Sequence, residues 1–201
     1  MATRLRINGL EVYKSYLSDS AQAELVDLVR NVCQNAPLYA PTTRWGKKMS
    51  VRMTSAGQLG WYSDRKGYRY VAQHPNGTAW PEIPAPILAI WRDVTGLERV
   101  PDCCLVNFYG EDTKMGLHQD RDEADFSFPV LSISLGDDAL FRIGGANRGG
   151  KTQSVWLSSG DVAVMGGDAR LAYHGIDRIR FKSSRLLEKG GRINLTLRVV
   201  T

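Results

Sequence analysis

The chain has three histidines, His74, His118 and His174, and two of them stand where they could share a metal. His118-Gln119-Asp120 sets an imidazole and a carboxylate at i and i+2, which an extended backbone turns to the same face. His174 follows far downstream, after several candidate strands, with chain enough for a sheet to fold back and present it opposite the pair. Two neutral imidazoles and one carboxylate on one face of a metal suit a non-haem Fe(II) centre. Three protein ligands leave three positions open, two for a bidentate 2-oxo acid and one for O2. An HxD pair also arises by chance, so the reading depends on the rest of a cosubstrate site.

The segment Arg192-Ile193-Asn194-Leu195-Thr196-Leu197-Arg198 alternates strictly. A strand puts Arg192, Asn194, Thr196 and Arg198 on one face, and Ile193, Leu195, Leu197 and Val199 on the other. In isolation this describes an amphipathic edge strand with its polar side in water. Turned into a barrel, the same face sets a guanidinium to clamp the distal carboxylate of 2-oxoglutarate through paired hydrogen bonds, with a second arginine near the same dianion. Leu105-Val106-Asn107-Phe108-Tyr109 puts Asn107 and Tyr109 on one face. Both can donate to an anionic ligand; equally, they read as a buried tyrosine and a turn-forming asparagine at a strand end.

These side chains need elements to position them. Residues 20–35 show helical spacing, with Ala23, Val26, Val29 and Val32 beside Leu25 and Leu28, and Asp19 or Ser20 available as a cap. A second helix is predicted over Ala85–Val94, with Pro86 in its first turn and Gly96 at its end. From Cys103 onward short β-rich runs take over, and strands are predicted over 104–109, 116–119, 130–135, 139–143, 153–157, 161–165 and 192–200. With no helical crossovers between them, a parallel α/β sheet is disfavoured. A sandwich or barrel supported on one side by N-terminal helices fits the pattern.

At 201 residues the chain suits one domain with a substantial core. No apolar run is long enough for a transmembrane helix. The first residues, Met1 to Gly9, carry charge where a leader would need an apolar stretch, so a cytoplasmic protein is expected. Cys33, Cys103 and Cys104 lack CxxC spacing and are expected as buried free thiols. The net charge of +5 favours polyanions without naming one. Arg44, Lys47, Lys48, Arg52, Arg65, Lys66 and Arg69 concentrate that charge in the first half.

Taken together, several motifs occur in one order: Asn107-Phe108-Tyr109, His118 to Glu123, Ser132-Ile133-Ser134-Leu135-Gly136, Tyr173-His174-Gly175 and Arg192 to Arg198. That order resembles the bacterial AlkB-type alkylated-DNA repair dioxygenases. Likeness extends to Met49 to Thr54, Leu59-Gly60-Trp61 and Gly67-Tyr68-Arg69-Tyr70, and so covers roughly residues 40–200. The resemblance implies a mainly β fold with supporting helices, a double-stranded β-helix (jelly roll) with an N-terminal nucleotide-recognition lid. Within one domain of residues 1–201, the helices and lid would occupy about 1–100 and the catalytic core about 101–201.

It also implies roles. His118, Asp120 and His174 would ligate Fe(II). Asn107, Tyr109, Arg192, Asn194 and Arg198 would hold 2-oxoglutarate. Trp61 and Tyr68 would line the base pocket and sandwich the lesion against His174, Asp122 would contact an exocyclic nitrogen, and Arg148 would lie near substrate. The expected reaction uses O2 and 2-oxoglutarate to oxidise an N-alkyl group of 1-methyladenine or 3-methylcytosine type in DNA, releasing formaldehyde, succinate and CO2. A monomer acting on alkylated DNA, with RNA as a further candidate, away from any membrane, is expected.

Ile193 and Leu197 depart from the aromatics found at these places in the family's bacterial members, but they point away from the inferred ligand face. The stretch Arg178 to Arg185 is more charged than the family pattern, as either a phosphate contact or a solvated surface. A flipped base needs a flat partner and an edge partner, and Trp61, Tyr68 and Asp122 could supply them, though two aromatics also serve as plain core. Two rival readings stand beside this one: an oxygenase of the same chemistry acting on RNA, protein or lipid, and a non-catalytic jelly-roll binding module.

Overall fold

In the computed structural model, residues 3–201 are described; Met1 and Ala2, the start of the charged N-terminal stretch, lie outside them. The first half holds β1 (Thr3–Ile7), β2 (Leu10–Lys14), α1 (Asp19–Asn35), β3 (Arg52–Gly57), β4 (Gly60–Asp64), β5 (Gly67–Val71) and α2 (Ala85–Thr95). The second holds β6 (Cys103–Tyr109), β7 (Met115–His118), β8 (Val130–Gly136), β9 (Asp138–Ile143), β10 (Gln153–Leu157), β11 (Val162–Met165), β12 (His174–Arg180) and β13 (Arg192–Arg198).

The strands form two antiparallel sheets in the jelly-roll arrangement. One has seven strands in the order β1-β2-β11-β8-β13-β6-β3, the other four in the order β10-β9-β12-β7. Alternating side chains of the large sheet therefore build two separate cores. On its outer face Leu131, Ile133, Leu135, Ile193, Leu195 and Leu197 meet Leu25, Val26 and Val29 of α1 and Ile87, Ile90 and Trp91 of α2. Between the sheets, Leu105, Tyr109, Val130 and Ala163 meet Phe141, Ile143, Leu157 and Ile176.

β13 is the element on which the sequence left two options open. It pairs with β6 on one side and β8 on the other, so it is a central strand. Both its faces are buried: apolar residues against the helices and Arg192, Thr196 and Arg198 between the sheets. Ile193 and Leu197 belong to the helix-facing core, which leaves the ligand face untouched.

Some elements differ from expectation. The first hundred residues supply β1, β2 and β3 to the large sheet, so that half is mixed rather than helical. The cap of α1 is Ser18, whose hydroxyl accepts from the Ala21 amide, one residue ahead of the expected Asp19 or Ser20. β12 went unforeseen because a register shift between His174 and Ile176 and charged outward residues break its apolar alternation. Cys103 and Cys104 are buried free thiols as expected, whereas Cys33 is half-buried.

β4 and β5 form a separate two-stranded hairpin outside both sheets. Among the described residues, no helix is long and apolar enough to cross a membrane.

A candidate metal and cosubstrate site

The metal-ligand candidates meet because β7 and β12 are paired neighbours. His118 ends β7, His174 begins β12, and the two are register partners. The close approach depends on Gly175, where an added Cβ would lie 2.5 Å from the Met115 carbonyl oxygen. Asp120 follows β7 by two residues. One donor atom from each of His118, Asp120 and His174 lies within 4.8 Å of the others. His118 Nε2 is 3.7 Å from Asp120 Oδ1, and His174 Nε2 is 3.9 Å from Asp120 Oδ2.

Backbone carbonyls set both histidine tautomers. His118 Nδ1 lies 2.9 Å from the Gly116 oxygen, and His174 Nδ1 lies 2.9 Å from the Ala172 oxygen. A carbonyl only accepts, so each Nδ1 carries the hydrogen and each Nε2 keeps a lone pair directed at Asp120's side. His174 is held neutral: burial pushes its pKa down to about 4, against the opposing pull of Asp120. Burial would raise Asp120, but the Arg198 guanidinium and the two imidazoles outweigh it and keep the carboxyl ionised well below the usual carboxylate range. Two lone pairs and one anion thus face a common point. That is the donor set that Fe(II) with open positions requires.

Beside it is a receptor for an anion. Arg192 is 0% exposed and donates only to neutral groups: the Asp137 and Leu157 carbonyls at 3.3 and 3.2 Å and the Ser134 hydroxyl at 2.7 Å. Its Nε has no partner, and burial lowers its pKa to about 10. The carboxylates of Asp161, Asp138 and Asp137 act on it without forming an ion pair, and a buried cation with no direct charge partner is costly unless one arrives. Arg198 binds Asp120 Oδ2 at 2.7 Å and approaches Glu123 at 3.4 Å, while its Nη1 is buried without a partner. Asn107 is likewise buried with its Oδ1 unmatched. Tyr109 is buried, and its hydroxyl faces only the Met115 sulfur, at 3.7 Å. Asn194 differs from these, since its amide is taken up by Ser132, the Ile133 carbonyl and Thr196.

The base-pocket candidates gather on the hairpin. Trp61 and Tyr68 stack on one another with centroids 5.4 Å apart and an interplanar angle of 26°. The Trp61 indole donates to Asp122 at 3.1 Å. Tyr68 and Asp122 line a cleft of about 360 Å³ with His118, Arg121 and Tyr173. The His174 ring lies against Phe141, with centroids 5.7 Å apart. Arg148 lines a neighbouring pocket of about 530 Å³ with Arg142 and Asn147, and Tyr173 borders both. The Arg178 to Arg185 stretch is on the outside of the small sheet. There Arg178 and Arg180 flank the Trp156 ring and pair with Asp177 and Asp138, whereas Lys182 and Arg185 make no ion pair among the described residues.

A buried network behind the metal-ligand cluster was not assigned from sequence. Arg170 donates to the Asp120 carbonyl at 2.7 Å and to Glu123 at 3.0 Å, and the Tyr70 hydroxyl of β5 donates to Glu123. Glu123 stands inside a quoted motif, but nothing in the sequence pairs it with Arg170 or Tyr70.

Comparison with known proteins agrees with this geometry. The sequence profile of the 2OG-Fe(II) oxygenase superfamily matches residues 9–198. An alpha-ketoglutarate-dependent dioxygenase AlkB homolog of Caulobacter vibrioides is 54% identical over 193 residues, covering 96% of this chain and 88% of that protein. The alpha-ketoglutarate-dependent dioxygenase AlkB of Escherichia coli K12 is 37% identical over 195 residues, covering 94% and 89%. Among solved structures, OsALKBH1 superposes with a TM-score of 0.85 at 32% identity, over 98% of this chain and 99% of that one. A Pseudomonas putida prolyl-4-hydroxylase shares the fold alone, with a TM-score of 0.56 at 14% identity, over 96% and 93%.

Proposed function

The chain belongs to the 2OG-Fe(II) oxygenase superfamily, and from that premise we propose that it removes alkyl groups oxidatively from N-alkylated bases in DNA, of the 1-methyladenine and 3-methylcytosine type. It is an Fe(II)- and 2-oxoglutarate-dependent dioxygenase of the AlkB type. The observation that carries the proposal is the convergence of His118, Asp120 and His174 within 4.8 Å beside a fully buried arginine whose hydrogen bonds all go to neutral groups.

Iron and 2-oxoglutarate, when bound, would activate O2, the oxidant: one oxygen atom would go into succinate as the keto acid gives up two electrons and CO2, and the other would hydroxylate the alkyl carbon, which is then lost as an aldehyde. The chain's residues do the rest. His118, Asp120 and His174 hold the metal, with tautomers fixed by the Gly116 and Ala172 carbonyls. Arg192 takes the distal carboxylate of the cosubstrate, and Asn107, Tyr109 and the free Nη1 of Arg198 stand ready for the remaining oxygens. Turning the Asn107 amide over would present its two N–H groups to the ligand instead of its orphaned oxygen. Asn194 supports this group through Ser132 and Thr196. Asp120 and His174 are buried between the sheets while His118 opens onto the cleft, so that a substrate would reach the metal from that side, with its C–H bond positioned there.

On the substrate side, Trp61 and Tyr68 offer flat faces to an extruded base. The Asp122 oxygen not engaged by Trp61 can accept from an exocyclic amine, and its charge favours a base made cationic by alkylation. Arg148 lies within reach of the flanking strand. The nucleic acid is alkylated DNA in this proposal, with the protein acting as a cytoplasmic monomer.

The test is formaldehyde release from a methylated oligonucleotide, offered in parallel as DNA and RNA. Turnover should require both iron and 2-oxoglutarate and should vanish in Asp120→Ala. Faster turnover of the RNA would replace the DNA assignment. Turnover persisting after metal chelation would remove the oxygenase mechanism altogether.

A further inference from the structure

Trp45 is the most exposed large hydrophobic residue described, at 74%, and the base pocket proper does not use it. It stands at the tip of a tight loop between Thr42 and Lys48, which are bridge partners. The Thr43 amide donates to the Lys47 carbonyl at 2.8 Å, and the Gly46 amide to the Thr43 carbonyl at 2.8 Å. The left-handed Gly46, at φ +82°, permits that turn. The loop is also tied down from outside. Ser63 of β4 donates its hydroxyl to the Thr42 carbonyl at 2.6 Å, and a Cβ added at Gly46 would meet the Arg65 side chain at 3.4 Å. Trp45 is therefore a bulky apolar ring held out on a braced support.

One face of that ring is occupied. The Arg44 guanidinium lies 4.3 Å from its centroid, which fixes the plane and leaves the other face open to solvent. Arg44 and Trp45 line the same cleft as Tyr68, His118, Arg121 and Asp122, so the ring borders the route to the metal-ligand cluster. The charge around it is mainly positive, with Asp122 the carboxylate that lines the cleft. Arg44, Lys47, Lys48, Arg65, Lys66 and Arg121 are exposed and make no ion pair among the described residues, while the local carboxylate Asp64 is taken by Arg69. An open aromatic face inside a mainly basic rim matches an unpaired nucleotide: a π-face for the ring and a phosphate for the cations.

We propose that Arg44 and Trp45 form a second stacking platform, which receives the base adjacent to the damaged one in a single strand. The inference rests on the nucleic-acid reading of the cleft. It adds that the protein engages at least two nucleotides, one at the hairpin and one at Trp45, and that the second contributes affinity without entering the chemistry.

The experiment compares two substrates: 1-methyladenosine as a deoxynucleoside monophosphate, and a single-stranded DNA pentanucleotide with the same lesion at its centre. Trp45→Ala should raise the pentanucleotide KM about 10-fold or more, the range expected for one lost base stack, with kcat within about twofold. The monophosphate, which has no neighbouring base, should show no such rise. Trp45→Phe, which restores a π-face, should recover most of the loss. Because the substitution removes no charge, the slope of log affinity against log salt for the pentanucleotide should stay as in the wild type, whereas Lys47→Ala should flatten it by about one unit. An unchanged pentanucleotide KM in Trp45→Ala, or an equal rise for both substrates, would overturn the platform while leaving the dealkylation reading intact. Wild-type turnover of neither substrate would overturn the nucleobase reading and the platform with it.

Discussion

Arg192 shows what a single side chain costs and what it does in return. A guanidinium with 0% exposure and only neutral partners is a destabilising choice for an empty fold, since burying an unpaired charge costs several kcal/mol before compensation. Arg192→Met should therefore leave the ligand-free protein as stable as the wild type or more so in thermal unfolding. Its affinity for 2-oxoglutarate should fall by about 100-fold or more, the scale expected for removing one member of a buried charge pair. A variant that both melted lower and kept its cosubstrate affinity would show that Arg192 serves packing alone. The thiols make a quieter residue-scale case. Burial pushes Cys103 up to about 11 and raises Cys33 and Cys104 as well, and reactivity requires the thiolate. At pH 8 a disulfide-exchange reagent should titrate at most one thiol, the half-buried Cys33, in the native protein and all three in guanidinium. Rapid labelling of two or more in the native state would contradict the packing of β6.

Between residues and the whole molecule, the hairpin of β4 and β5 is fastened to the chain segment that carries Asp120. Trp61 holds Asp122, and Tyr70 holds Glu123, which in turn meets Arg170 and Arg198. Tyr70→Phe and Glu123→Gln should both weaken Mn(II) binding, a redox-silent probe of the iron site, by about 10-fold for Glu123→Gln and less for Tyr70→Phe. Partners of metal ligands commonly have effects of that size or larger. A titration followed by electron paramagnetic resonance checks this, and wild-type affinity in both variants would detach the hairpin from the metal.

Much of this level was legible in the sequence. The period-two pattern of Arg192–Arg198 named both faces of β13, and the i, i+2 spacing of His118 and Asp120 named their common side, whereas the partnership of His174 with His118 comes from the pairing of β12 with β7. α2 could be read from its proline start and Gly96 end. The strands of the first half were not legible, because β1, β4 and β5 are short and partly exposed and so lack a clear apolar period. Nor was the Glu123–Arg170–Tyr70 network, because hydrogen-bond partners far apart in sequence leave no local trace.

At the scale of the molecule, the unmatched donors of Arg192 and Arg198 and the unmatched oxygen of Asn107 predict a strong response to ligand. Saturating Mn(II) and 2-oxoglutarate, each at about 100 times its dissociation constant, should together add about 5 kcal/mol, or roughly 10–20 °C in melting temperature for a chain of this size. A shift below about 1 °C, measured by differential scanning fluorimetry, would mean that the cavity between the sheets is not a cosubstrate site.

The doubly buried β13 has a consequence for how this protein could fail. Sliding that strand by one residue against β6 and β8 would thrust its arginines among the leucines and valines of α1 and α2, and turn its leucines toward the iron ligands. No partly wrong version of the strand satisfies either side. Correct pairing at the centre of the large sheet therefore also sets the arginine face proposed for the keto acid, so that in this proposal folding and readiness for the cosubstrate come together.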